Sequence, residues 1–139
     1  MRETIAVLDF PRPFTVVLAD DQRAYREGLA RAISRHYRLE LVAVAERGDD
    51  ALHVIESLEP DVALIDVRMG GLHGTSVCEL LRERHPDLDT RLVLMSADGS
   101  AAVRSEPGVD GFVSKDRSRR EICEALVQAA QRSRVLTTR

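Results

Sequence analysis

No apolar run in this 139-residue sequence approaches the length of a membrane span, so no segment is expected to cross a bilayer as a helix. The N-terminus has no basic segment followed by a long apolar stretch, so a secretory leader is not expected and the expected location is the cytoplasm. Cysteine is scarce. Cys78 and Cys123 are the two present; they form no C-x-x-C pair and fall in different helical patterns, so they read as buried free thiols rather than a disulfide or a metal site. Neither sign of charge dominates: a net charge of −3 with both signs interspersed leaves no strongly basic face for nucleic acid. Gly70, Gly71 and Gly74 are not followed by the Gly-Lys-Ser/Thr that a phosphate-cradling loop needs. What is present, 44% apolar and 31% charged residues, is the composition of an ordinary globular domain with a real core.

Strands and helices alternate along the chain. The run Val62-Ala63-Leu64-Ile65 is too short for a helix and lies between Pro60 and Gly70-Gly71, so it reads as a strand buried on both faces, with Asp66 at its C-terminal end. Thr15 to Ala19 is a first strand ending in the acid pair Asp20-Asp21. A helix follows, with Tyr25, Leu29, Ile33 and Tyr37 at every fourth position. Glu40 to Val44 is the second strand. Asp49-Asp50 opens a helix with Ala51, Val54, Ile55 and Leu58 inward, closed by Pro60. After the Asp66 strand, Thr75 or Ser76 is expected to cap a helix with Val77, Leu80 and Leu81 inward, stopped by Pro86. Leu92 to Met95 is the fourth strand, ending at Ser96. Between Asp98 and Asp110 only Ala101 to Glu106 is free for a helix, so about one turn fits there. Gly111 to Ser114 is the fifth strand, followed by Lys115, and Ser118 caps the last helix, lined by Ile122, Leu126, Ala129 and Ala130. This alternation predicts an α/β fold, a parallel sheet with helices on both faces.

Asp20, Asp21, Asp66, Ser96 and Lys115 thus stand at strand C-terminal ends, which share one edge of a parallel sheet. Three carboxylates brought together repel unless a cation joins them, and hard oxygen ligands around a partly hydrated divalent ion suit Mg²⁺, or Mn²⁺ in its place. One carboxylate as nucleophile, with a hydroxyl and an ammonium for the transferred group's oxygens, suits phosphoryl transfer.

With these residues in place the sequence resembles the receiver domain of two-component response regulators, most closely the NarL/FixJ (LuxR-type) branch. The resemblance is carried by Val17 to Asp21, Arg26 to Leu29, Pro60 to Met69, Gly74, Ser96-Ala97 and Gly111 to Asp116. It covers residues 15–132, leaving 1–14 as an N-terminal arm and 133–139 as a tail or the start of a linker to a helix-turn-helix domain. It implies a flavodoxin-like, doubly wound sheet of five strands in the order 2-1-3-4-5, with Asp66 as phosphoacceptor for a sensor histidine kinase. Asp21 and Asp66 would hold Mg²⁺ directly, Asp20 through water, and the backbone carbonyl of Arg68 would complete the protein ligands. Lys115 would pair first with Asp66 and then with the phosphoryl group. Ser96 would move onto a phosphoryl oxygen while Phe112 fills the space it leaves, a two-state switch. Output would be transcriptional through a DNA-binding domain, with no nucleic acid or membrane bound by this chain alone and no steady turnover as an enzyme. Homodimers would form through the fourth helix, fifth strand and fifth helix, or through the first and fifth helices.

Several positions depart from the family pattern. Gly70 replaces the usual proline, which predicts a looser loop after Asp66. The stretch from Ser96 to Lys115 is a few residues short, and the loss falls on the fourth helix. Arg68 and Asp98 border the site's mouth and are expected to pair across it. Two other readings stay open on the residues: a receiver that works as an interaction module without phosphorylation, and a haloacid-dehalogenase-type phosphatase. Against the phosphatase, Arg68 stands where a second acid belongs and no lid is present. His73, near the site, has no partner expected of a metal ligand or base.

Overall fold

The computed structural model describes residues 12–97 and 106–137, the last five by their backbone alone. In chain order it contains β1 (Phe14–Ala19), α1 (Arg23–Arg35), β2 (Leu39–Ala45), α2 (Gly48–Leu58), β3 (Val62–Asp66), α3 (Gly74–Arg84), β4 (Arg91–Ser96), β5 (Gly111–Ser114) and α4 (Arg119–Thr137). The five strands form one parallel sheet in the order β2-β1-β3-β4-β5, as the family resemblance implied. The short helix expected between β4 and β5, and most of the N-terminal arm, fall outside the described residues. The dimer face that includes that helix therefore falls partly outside them as well.

Strand alternation divides the core in two. Val16, Leu18, Val62, Leu64, Val93 and Met95 point to one side, against Leu29 and Ile33 of α1 and Ile122 and Leu126 of α4. Val17, Ala19, Ala63, Ile65, Leu92 and Leu94 point to the other, against Ala51 and Ile55 of α2 and Val77 and Leu81 of α3. β3 is buried along its whole length, because it sits mid-sheet with helices on both faces. Cys78 and Cys123 are free and buried, and burial pushes the Cys78 thiol up to about 12.

Some expectations need correction. Tyr37 is 85% exposed: α1 ends at Arg35, and Tyr37 lies in the turn beyond it, stacked on His36. Leu58, the last residue of α2, is half exposed, and Glu59 closes that helix in the left-handed conformation. Neither Thr75 nor Ser76 caps α3. The helix begins at Gly74, with His73 at the N-cap and no side-chain cap bond, because its start is set by docking on β3: the Gly74 amide donates to Val67 O at 2.8 Å. By contrast Ser118 caps α4 as expected, its hydroxyl accepting from the Glu121 amide at 3.1 Å, and the Glu121 side chain completes a reciprocal cap by accepting from the Ser118 amide at 3.0 Å. α4 continues to Thr137, past the boundary drawn at residue 132.

The strand N-terminal ends are tied by polar side chains. Asp61 accepts from the amide and hydroxyl of Thr15, joining β1 to β3. Arg82 of α3 donates to Leu88 O, Thr90 O and Gly108 O, each at 3.0 Å, and to Asp110 Oδ2 at 2.7 Å. Asp110 also receives Arg91 and the amide of Leu92, so α3, β4 and the approach to β5 are fastened at one point.

Candidate functional site

Parallel pairing brings the C-terminal ends of β1, β3, β4 and β5 to one edge, and the strand-end residues meet there. Asp20 is fully buried, Asp66 is 5% exposed and Asp21 faces solvent. One carboxylate oxygen from each lies within 4.8 Å of the others. Asp20 Oδ1 accepts the Gln22 amide at 2.7 Å, which holds its side chain in the turn that opens α1. Asp66 Oδ1 accepts the Arg68 amide at 3.3 Å. The backbone of Asp66 is pressed by α3: a Cβ on Gly74 would stand 2.2 Å from Asp66 O, so only glycine allows this approach.

Lys115 follows β5, and its amide donates to Ser96 O at 2.9 Å, so β4 fixes where the side chain starts. Its Nζ lies 2.8 Å from Asp20 Oδ2 and 3.0 Å from Asp66 Oδ2, and it also donates to Gln22 Oε1 at 3.0 Å. Burial works against this ammonium, but its bonds to Asp20 and Asp66 outweigh burial and hold its pKa above the ordinary lysine value. Asp66 is displaced upward too: burial raises it, the Lys115 bond pulls it back, and the nearby Asp20 charge raises it again.

Asp20 Oδ2 bears on metal binding. It is buried and, beyond the ionic contact with Lys115, has no aligned hydrogen-bond donor. Three carboxylates converge here against the one ammonium of Lys115, an excess of negative charge that a hydrated divalent cation would offset, so the residues present fit one.

Ser96 is 7% exposed and lines an open pocket of about 350 Å³ together with Asp21, Asp66, Arg68 and Lys115. The β4–β5 register pairs Leu94 with Phe112 and Ser96 with Ser114, which puts Ser96 and Phe112 on the same sheet face, one step apart. Phe112 is half-buried and borders a groove with Arg117 and Glu121. Arg68 is exposed at the pocket rim; Asp98, its expected partner, lies outside the described residues. His73 is exposed at the start of α3.

The loop after Asp66, expected to be loose at Gly70, is tied to its neighbour: Gly48 N–H donates to Gly70 O at 2.9 Å, and Arg47 and Gly70 form a parallel bridge. Sequence reasoning also missed Gln22 and Tyr25 as neighbours of Lys115. Tyr25 places its ring 4.7 Å from the ammonium. The signal was available for Gln22, which directly follows the acid pair; Tyr25 was assigned only to a helix face.

Comparison with known proteins agrees with this geometry. The family described as "Response regulator receiver domain" matches residues 16–127. The chain is 37% identical over 124 residues to the "Probable transcriptional regulatory protein NarL" of Mycobacterium tuberculosis, covering 87% of this chain and 56% of that protein. It is 32% identical to the "Nitrate/nitrite response regulator protein NarL" of Escherichia coli K12, covering 90% and 58%. It thus spans little more than half the length of these relatives. Among solved structures, the signal receiver domain of the M. tuberculosis putative response regulator NarL superposes with a TM-score of 0.81 at 37% identity, covering 87% of this chain and 98% of that one. A LuxR-family DNA-binding response regulator from Staphylococcus aureus superposes with a TM-score of 0.77 at 26% identity, covering 84% and 98%.

Proposed function

Because the chain belongs to the response regulator receiver domain family, on its NarL (LuxR-type) side, we propose that it is a phosphorylation switch with Asp66 as phosphoacceptor. The observation that carries this reading is the single ammonium of Lys115 joining Asp20 and Asp66 beside Ser96, at an acidic pocket open to solvent. The phosphoryl donor is a phosphohistidine of a sensor kinase. An Asp66 carboxylate oxygen forms the new P–O bond as the P–N bond breaks, and the electron pair returns to the imidazole nitrogen, which takes a proton from solvent.

Asp20, Asp21, Asp66 and the Arg68 carbonyl are the residues that would hold Mg²⁺ or Mn²⁺. The bound ion would neutralise charge on the phosphoryl oxygens. Lys115 exchanges its Asp66 carboxylate contact for a phosphoryl oxygen. Ser96, on the same edge, donates its hydroxyl to another, and Phe112, one step away on the same sheet face, takes the space released. The acyl phosphate later hydrolyses and resets the switch, so the chain is a phosphoacceptor rather than a turnover enzyme. The proposed output is control of transcription through a DNA-binding domain, as the names of its relatives suggest.

Intact mass after brief incubation with acetyl phosphate and Mg²⁺ tests this. The wild type should gain one phosphoryl increment, and Asp66→Ala and an EDTA control should gain none. An unlabelled wild type, under conditions that label another receiver, would leave the phosphorylation-independent module as the better reading.

A further inference from the structure

Lys115 is held by more than acids. Its ammonium donates to an Asp66 carboxylate oxygen and to the amide oxygen of Gln22, each at 3.0 Å, and makes an ionic contact with Asp20 Oδ2 at 2.8 Å. The face of the Tyr25 ring stands 4.7 Å from the same nitrogen. A cation over an aromatic face at this distance is attracted by the ring's quadrupole, more strongly where water is displaced, and the Lys115 side chain is only 10% exposed.

The ring is itself fixed at both ends. Its backbone lies in the first turn of α1, just beyond the turn that holds the acid pair, and its hydroxyl reaches Met95 Sδ at 3.6 Å. Met95 is fully buried on β4 and precedes Ser96. Tyr25 therefore spans from the helix that follows the acid-bearing turn to the strand that carries the Ser96 hydroxyl, passing alongside the lysine. A phenol is uncharged at neutral pH, and burial raises its pKa further, so the ring stays neutral.

We infer that Tyr25 is a positioning residue for Lys115, an aromatic rest that keeps the ammonium aimed at the reacting edge while its hydrogen bonds pass from the Asp66 carboxylate to the phosphoryl group. This rests on the phosphoacceptor reading above. The physical reason is directional tolerance. A hydrogen bond to one carboxylate oxygen is lost when the ammonium turns, whereas attraction to a ring face persists over a range of tilts and does not compete for N–H donors. A ring therefore holds the lysine in both states, which a fourth oxygen ligand would not.

The test is the rate of phosphorylation by acetyl phosphate at saturating Mg²⁺, followed by intact mass. It is run on the wild type, Tyr25→Phe, Tyr25→Leu, and protein carrying tri- or tetrafluorinated phenylalanine at position 25. Tyr25→Phe keeps the ring and should stay within about twofold of wild type, whereas Tyr25→Leu should slow by about 3- to 30-fold, the range expected for losing one cation–ring contact. The fluorinated rings keep the shape but drain the face of negative charge, so their rates should fall stepwise between the two. They decide the matter even if the leucine variant does not fold. The Mg²⁺ concentration for half-maximal rate should not move, because the ring holds the lysine rather than the acids. Wild-type rates in the leucine or fluorinated proteins would overturn the inference while leaving Asp66 as phosphoacceptor. Equal losses in Phe and Leu, or a loss that does not follow fluorination, would make Tyr25 a packing residue only. A wild type that takes no label would overturn the phosphoacceptor reading and this inference with it.

Discussion

Gly74 sets how closely α3 approaches the Asp66 end of β3. Any Cβ there would collide with the carbonyl of Asp66, and the atom it meets is backbone that cannot swing aside. Gly74→Ala should therefore push α3 away from the end of β3, costing about 1–3 kcal/mol as an overpacked contact does. It should also slow phosphorylation of Asp66, because the carboxylate is displaced. Urea unfolding and acetyl-phosphate labelling measure the two effects; an alanine variant equal to wild type in both would show that α3 shifts freely. Gly71, at φ +81°, is required for a different reason, since L side chains rarely adopt that backbone conformation.

At the level of the elements, α3 is fastened to the sheet by one side chain, Arg82. Arg82 binds three carbonyls and the Asp110 carboxylate, and both side chains of that ion pair are about three-quarters buried. Arg82→Met keeps the side chain's bulk but leaves these acceptors short of a donor, so the loss should be about 2–4 kcal/mol. Thermal or urea unfolding would check it; a change below about 0.5 kcal/mol, the size usual for a surface substitution, would mean that solvent replaces the guanidinium without cost. The clamp sits at the N-terminal ends of β4 and β5, the end opposite the reacting edge. Labelling of Asp66 in the folded fraction should therefore be unaffected.

Asp66 and Glu56 act in opposite directions on the pH dependence of the folded chain. Burial and the Asp20 charge raise Asp66 despite the Lys115 bond. A carboxyl raised in the folded state favours folding while protonated, so that contribution is complete below the unfolded value and is lost as pH rises through the folded value. Glu56 is lowered, chiefly by its bond to His85 at 2.9 Å and also by Arg84. Its contribution is present above the unfolded value and is lost as pH falls through the folded one. In metal-free protein, Asp66→Asn should thus melt higher than wild type at neutral pH, with the gap closing in acid. Glu56→Gln should melt lower at neutral pH, again converging in acid. Melting temperature against pH for the three proteins checks both signs, and a neutral-pH order reversed for either variant would refute its assignment.

Strand and helix order, and which acids share an edge, were legible in the sequence because both follow from local pattern. A four-residue apolar run bounded by Pro60 and Gly70 is too short for a helix and reads as a buried strand, and parallel strands joined by helices put Asp20, Asp66, Ser96 and Lys115 at the same end. Helix ends were less legible. Tyr37 fits the helical period yet lies beyond the end of α1, and α3 starts where Gly74 meets β3 rather than where a hydroxyl could cap it. Only the tertiary structure decided what surrounds Lys115 and Arg82. Gln22 and Tyr25 are far from Lys115 in sequence, and Gly108 and Asp110 are far from Arg82. Such contacts depend on strand register and on the distance between packed elements, and neither leaves a periodic trace in the chain.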